Sequence, residues 1–145
     1  MSGSSLLMDG NDMLRSRFLE VAESLDKTAG AVVFEQGQQP DGAYVVVEGK
    51  TCLTLLDAAS QPIWSKVVGS GAILGLPSSV SGQPYSLRAT TLEATRLAFV
   101  SREKVTGLMR RDPAMASEIL RVLSDELIDL RKKMSMLRSA PRVHS

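Results

Sequence analysis

Between Gly30 and Ser101 the chain breaks into six short runs: "AVVFEQG", "AYVVVEG", "KTCLTLL", "PIWSKVV", "YSLRATT" and "EATRLAFV". They are β-branched, aromatic or alternating, and residues that favour reversals separate them: Gly37, Pro40-Asp41-Gly42, Gly49, Ser60-Gln61-Pro62, Gly69, Gly71 and Gly82. Runs this short, with turns this frequent, predict antiparallel strands closed into a small barrel or roll. Gly37 and Gly49 fall where tight reversals call for positive φ. Trp64 and Phe99 are expected in the core of the roll.

Helical patterns flank this segment. In "NDMLRSRFLEVAESLDKTA" the apolar residues Met13, Leu14, Phe18, Val21, Ala22 and Leu25 recur mostly three or four apart. Asn11 or Asp12 can cap the start and Gly30 can end it, so a helix is expected across this stretch. A second helix is predicted from Ser101, which can act as N-cap. A third follows Asp112-Pro113, with Asp as the cap and Pro at the first helical position. It is expected to run to about Leu137. Residues 1–10 and 138–145 are expected to be tails, leaving one domain over residues 11–137.

The last helix carries a heptad pattern. Ala116, Leu120, Leu123, Leu127, Leu130, Met134 and Leu137 are spaced 4, 3, 4, 3, 4, 3. That is an a/d seam. Ile119, Val122 and Ile128 form a second, shorter stripe. The seam can pack on the chain's own roll or against a symmetry-related copy. A parallel homodimer through Leu120, Leu123, Leu127, Leu130, Met134 and Leu137 is the expectation, because the far half of the helix projects beyond a small roll.

Composition narrows the function classes. A length of 145 residues suits one core, and a net charge of +1 gives no general case for nucleic acid or membrane binding. The one cysteine, Cys52, excludes an intrachain disulfide and favours a reducing compartment, so cytoplasm is expected. The one histidine, His144, is next to the end of the sequence, which argues against a Ser-His or Cys-His pair. No apolar run is long enough to span a bilayer. "MSGSSLLMDGND" lacks the charged start and apolar stretch of a signal peptide. No metal-ligand cluster or paired-carboxylate motif stands out, and no catalytic activity is expected.

The ordered set Gly30, Phe34, Gly37, Tyr44, Val46 and Gly49 in "GAVVFEQGQQPDGAYVVVEGKTCLTLLD" resembles the opening strands of the cyclic-nucleotide-binding domain family. That family includes catabolite-activator-type regulators and kinase regulatory subunits. "GSGAILG" resembles the stretch leading into its phosphate-binding cassette, and "RATTLEATRLAFVSREKVTGLMRRDP" resembles the strands and helix that follow. The resemblance covers about residues 12–135. It implies an α+β fold: an antiparallel β-roll of jelly-roll type, flanked by an N-terminal helix and C-terminal helices.

The resemblance also implies a ligand site, and there the sequence departs from the family. The cassette of the family places an acid after its glycine, for the ribose, and an arginine about ten residues on, for the cyclic phosphate. With Gly75 as the cassette glycine, Leu76 takes the acidic position. Gln83, or with a shift Pro84, takes the arginine position. Charge-assisted contacts are worth roughly 1.5–3 kcal/mol each, so losing both costs on the order of 3–5 kcal/mol, a few hundred-fold or more in affinity. Gly75, Leu76, Ser78, Ser79, Gln83, Pro84 and Tyr85 therefore form a divergent cassette. A short helical turn after Gly75 would aim free N–H groups into the roll. Leu76, Pro77 and Tyr85 would give it an apolar lining, and Ser78, Ser79 and Ser81 can donate hydrogen bonds or simply cap the turn. Arg88 can substitute for the missing cation only by facing inward with Ser86 and Thr90. A solvent-facing strand arginine is the favoured alternative.

Catabolite-activator-type regulators carry a helix-turn-helix after the long helix, and eight residues follow Leu137 here. A helix-turn-helix needs about 20, so no DNA-reading module is expected in this sequence. Arg131, Lys132, Lys133, Arg138 and Arg142 form a basic end. It suits either a solvated helix terminus or contact with an acidic partner. The functional expectation is a stand-alone, non-catalytic regulatory module acting through protein partners, with weak or no ordinary cyclic-nucleotide binding and no cofactor. The alternative is a sensor whose divergent cassette binds a cyclic nucleotide or another small ligand.

Overall fold

The computed structural model describes residues 10–139, with the side chains of residues 10, 11, 126, 127, 129, 130 and 133–139 outside the description. The elements run α1 (Gly10–Val21), β1 (Glu23–Lys27), β2 (Val32–Phe34), β3 (Gly42–Glu48), β4 (Thr51–Leu56), β5 (Pro62–Val68), β6 (Ile73–Leu74), α2 (Leu76–Ser81), β7 (Arg88–Thr91), β8 (Thr95–Ser101), α3 (Arg102–Arg111) and α4 (Pro113–Ser139). Two four-stranded antiparallel sheets, ordered β1-β8-β3-β6 and β2-β7-β4-β5, face each other as the predicted roll. The expected tails lie outside the described residues except at their inner ends, where α1 begins at Gly10 and α4 ends at Ser139.

Alternation along β3 and β8 builds two cores on the two faces of one sheet. Ala43, Val45, Ala98 and Val100 point to the helices, where they meet Leu14, Phe18, Val105, Met115 and Ile119. Tyr44, Val46 and Leu97 point into the roll, against Phe34, Leu74, Tyr85 and Ala89. Each large apolar side chain fully buried this way contributes roughly 1.5–3 kcal/mol relative to exposure. Phe99 joins the roll core as expected, its ring 5.0 Å from that of Tyr44.

The helix starts follow the predicted chemistry. Ser101 Oγ accepts the Lys104 N–H, and Asp112 Oδ1 accepts the Ala114 and Met115 N–H groups beside Pro113. Gly37 and Gly49 take φ of 89° and 113°. At Gly49 a Cβ would lie 2.7 Å from Thr95 Cα, so the β3–β4 reversal excludes a side chain on two counts.

One element differs from expectation. The first helix stops at Val21 instead of continuing toward Gly30, and Glu23–Lys27 form a strand on the edge of β8. Leu25 is opposite Leu97 and packs on the roll core. Its apolar spacing fits a helix, but the open edge of β8 offers backbone hydrogen bonds over five residue pairs that a further helical turn would leave unmet.

Along α4 the stripe buried within the chain is Met115, Ile119 and Val122. The heptad seam lies beside it. Leu120 is 57% exposed and Leu123 is half-buried. The side chains of Leu127, Leu130, Met134 and Leu137 lie outside the description.

Candidate functional site

A cavity of about 540 Å³ opens on one side of the roll. Phe34 of β2, Leu53 and Leu55 of β4, and Trp64, Lys66 and Val68 of β5 form one wall. The stretch from Ala72 through Ser81, without Leu76 and Ser79, and Tyr85–Leu87 form the other. α4 contributes Leu123. The volume lies within the roughly 300–1,000 Å³ of sites that take small organic molecules.

Strand register decides which side chains reach this space. Lys66 pairs with Leu53 and Trp64 with Leu55, so these four share the inner face. Arg88 pairs with Thr54, one residue out of phase with Leu53, and so lies on the outer face while the adjacent Ala89 is fully buried inside. Arg88 Nε donates to Glu35 Oε1 at 2.8 Å, in a pair whose side chains are 38% and 46% exposed. The inward orientation with Thr90 does not occur, because Thr90 pairs with Cys52 on the outer face as well.

The cassette stretch divides between cavity and scaffold. Gly75 takes φ of 74°, and a Cβ there would lie 2.8 Å from the Tyr85 ring. Gly75, Ser78 and Tyr85 reach the cavity wall, together with Pro77 and Ser81. Leu76 does not. It is fully buried in the helix-side core with Leu14 and Phe18. Ser79 Oγ donates to the Gly75 carbonyl at 2.8 Å, closing the turn of α2. Gln83 is exposed and its N–H donates to Ser81 Oγ. Pro84 is exposed and its carbonyl accepts from Ser78 Oγ. The turn expected after Gly75 is present as α2. Arg102 Nε donates to the Ser79 carbonyl, placing a cation at the last turn of α2.

Tyr85 fills the end of the roll beside Gly75. Its ring stacks on Phe34 with centroids 3.9 Å apart. Its hydroxyl is 2.7 Å from Asp41 Oδ1 and 2.6 Å from the Gly42 carbonyl oxygen, either of which can accept its proton. The Tyr85 hydroxyl oxygen in turn accepts the Asp41 and Gly42 N–H groups. Tyr44 also reaches Asp41, at 3.3 Å. Burial pushes both phenols well above the ordinary value of 10.0, and Asp41 adds to the rise.

Most of the cavity wall was not among the sequence candidates, Trp64, Lys66 and Leu123 included. Trp64 was expected in the core, Leu123 in the helix seam, and Lys66 had no assigned role. The pairing of β5 with β4 is the signal that finds Trp64 and Lys66, and it depends on strand register, while Leu123 reaches the wall from α4. Among the described residues no group of His, Cys, Asp and Glu is placed to hold a metal ion. No described helix is long and apolar enough to cross a membrane.

With this geometry in hand, comparison with known proteins defines the class. The cyclic nucleotide-binding domain family matches residues 26–112, more than half of the sequence, and the chain belongs to that family. The catabolite activator protein of Thermus thermophilus superposes with a TM-score of 0.76 at 24% identity, over 87% of this chain and 59% of that one. The regulatory domain of Toxoplasma gondii PKA with cAMP gives 0.67 at 21% identity, over 84% and 44%. Patatin-like phospholipase domain-containing protein 6 of Pongo abelii is 25% identical over 103 residues, which span 69% of this chain and 7% of that protein. The chain thus matches a small part of a much longer relative.

Proposed function

We propose that the chain is a non-catalytic regulatory module of the cytoplasm, that its output surface is the apolar seam of α4, and that it does not hold a cyclic nucleotide in the ordinary manner of its family. One observation supports the last point above others: among the described residues no carboxylate and no arginine lines the cavity. Leu76 occupies the acidic position and turns into the helix-side core, while Gln83 stays outside. Arg88 is on the outer face with Glu35. The output surface is supported by Leu120, left exposed while the neighbouring stripe is buried. A second copy is the first occupant expected on the seam, and a protein partner receives the signal.

Sedimentation with and without 1 mM cyclic AMP tests this. The wild type is expected to be a dimer of unchanged mass in both conditions, and Leu127→Asp with Leu130→Asp is expected to be a folded monomer. A wild-type monomer, or an unchanged mass in the variant, removes the seam from the proposal. Melting in the same solutions reports on the nucleotide. A ligand at 100 times its Kd adds about 2.7 kcal/mol, so a clear rise with cyclic AMP removes the other half.

The cavity favours a second reading, that of a sensor for a different small ligand. It remains open rather than filled by side chains, and Leu123 belongs both to its wall and to the seam. Occupancy would then bias how α4 packs.

A further inference from the structure

The pattern of β5 is inverted at its centre. Its outer face carries Ile63 and Val67, which are 42% and 54% exposed. Its inner face carries Trp64, Lys66 and Val68, and all three line the cavity. A strand over an apolar cavity ordinarily puts its charge outside and its β-branched residues inside. Here Lys66 stands between two apolar neighbours and opposite Leu53. The register on both sides of it fixes this orientation.

Among the described residues Lys66 is also the one with a formal charge on the cavity wall. Among the described residues no carboxylate pairs with it, in contrast to Arg88 with Glu35 and Arg96 with Asp26. The other polar side-chain groups described on that wall are four hydroxyls, of Ser78, Ser81, Ser86 and Tyr85, and the indole N–H of Trp64. Ser78 and Tyr85 are already engaged with backbone and with Asp41. The remaining wall is aliphatic or aromatic. Such a cavity complements a molecule with one anionic group and an apolar body. It does not complement a nucleotide, whose base and sugar each need several polar partners.

We propose that the cavity binds a small amphipathic organic monoanion, with Lys66 of β5 as the anchor for its carboxylate and the walls around Leu53, Leu55 and Trp64 holding its apolar part. This rests on the sensor reading above and supplies its ligand class. The ammonium takes the electrostatic role that the family gives to a cassette arginine, from a different strand and at a different place on the wall. Lys66 is exposed at the cavity, so its ammonium is hydrated until an anion arrives, and pairing there adds a charge-assisted hydrogen bond.

Trp64 is the sole tryptophan and lines the cavity, so its fluorescence reports occupancy directly. The experiment titrates the full chain with decanoate and 4-phenylbutyrate, with the neutral decan-1-ol and 4-phenylbutan-1-ol, and with cyclic AMP. Lys66→Met and Lys66→Arg are compared with wild type. At least one carboxylate is expected to saturate the signal, and its alcohol to bind at least tenfold more weakly. Lys66→Met should lose about tenfold or more for the carboxylate and little for the alcohol, and Lys66→Arg should recover most of the loss. Unliganded melting of the variants at the wild-type temperature shows that the roll is intact. If alcohols bind as well as acids, or Lys66→Met binds acids normally, the anchor is wrong while the sensor reading stands. A saturable response to cyclic AMP alone overturns the ligand class. No saturable response to any of the five overturns both.

Discussion

The two sheets of the roll use similar residues to opposite ends. In β3 the first five residues are all buried, and their alternation feeds two cores at once. In β5, seven residues long like β3, no residue is fully buried. Both strands are rich in valine and carry one aromatic residue. β3 lies between β8 and β6 with helices stacked behind it, whereas β5 is an edge strand with solvent on one side and the cavity on the other. The difference teaches that apolar content alone does not mark the core of this fold. Position in the sheet order decides which apolar strand is scaffold and which is available for binding.

The largest effect should come from the scaffold side. Phe18 is fully buried between α1 and the β3–β8 face. Phe18→Ala is expected to lower unfolding free energy by about 3–5 kcal/mol, from lost transfer energy and the void left behind. Trp64→Ala, a larger truncation in volume, is expected to cost at most about 2 kcal/mol, because Trp64 is only half-buried and already borders open space. Urea unfolding of both variants measures the contrast. Equal costs would mean that the cavity wall is packed as tightly as the core, and the division between the sheets would fail.

Tyr85 sits where the two regions meet, and removing its hydroxyl sharpens the boundary. Tyr85→Phe keeps the stack on Phe34 and leaves Asp41 and the Gly42 backbone without their shared partner. A loss of about 1–2 kcal/mol at neutral pH follows. The pH dependence has a definite sign. Tyr85 ionises with more difficulty in the fold than in the unfolded chain, where its value is near 10.0. Between those two values the unfolded state has released the proton and the native state still holds it. Stability is therefore full below about pH 10 and falls as pH rises further. Tyr44 is raised in the same direction, so Tyr85→Phe should flatten the alkaline fall in melting temperature without abolishing it. An identical slope in the variant would mean that the Tyr85 hydroxyl is not held as described.

Much of this was legible in the sequence, for identifiable reasons. The alternation of "AYVVV", the glycines at 37 and 49, and the caps Ser101 and Asp112 are local, and local physics decides them. Leu25 was misread because its spacing from Val21 fits a helix, and only the unpaired edge of β8 distinguishes the strand. Lys66 had no sequence signal for a related reason. In "PIWSKVV" either phase places apolar residues on one face, and the choice is made by register against β4. Gly75, Ser78 and Tyr85 were placed at the cavity by resemblance to the cassette, but Leu76 turns to the other core because the helical turn after Gly75 rotates it away from the roll.

The smallest effect is the most specific check on the cavity side. Arg88 follows the cassette, and the sequence favoured a solvent-facing arginine there over a substitute cation for a ligand. Its pairing with Thr54 puts it on the face opposite Lys66, where it meets Glu35 in partial solvent. An exposed pair of this kind is worth at most about 1 kcal/mol and is screened by salt. Arg88→Ala should shift the urea midpoint slightly at low ionic strength and hardly at all in 0.5 M salt. It should also leave the Trp64 titration with carboxylates at the wild-type Kd. Loss of carboxylate binding in Arg88→Ala, with Lys66→Met unaffected, would exchange the two faces of the β2-β7-β4-β5 sheet and with them the division between scaffold and binding strand.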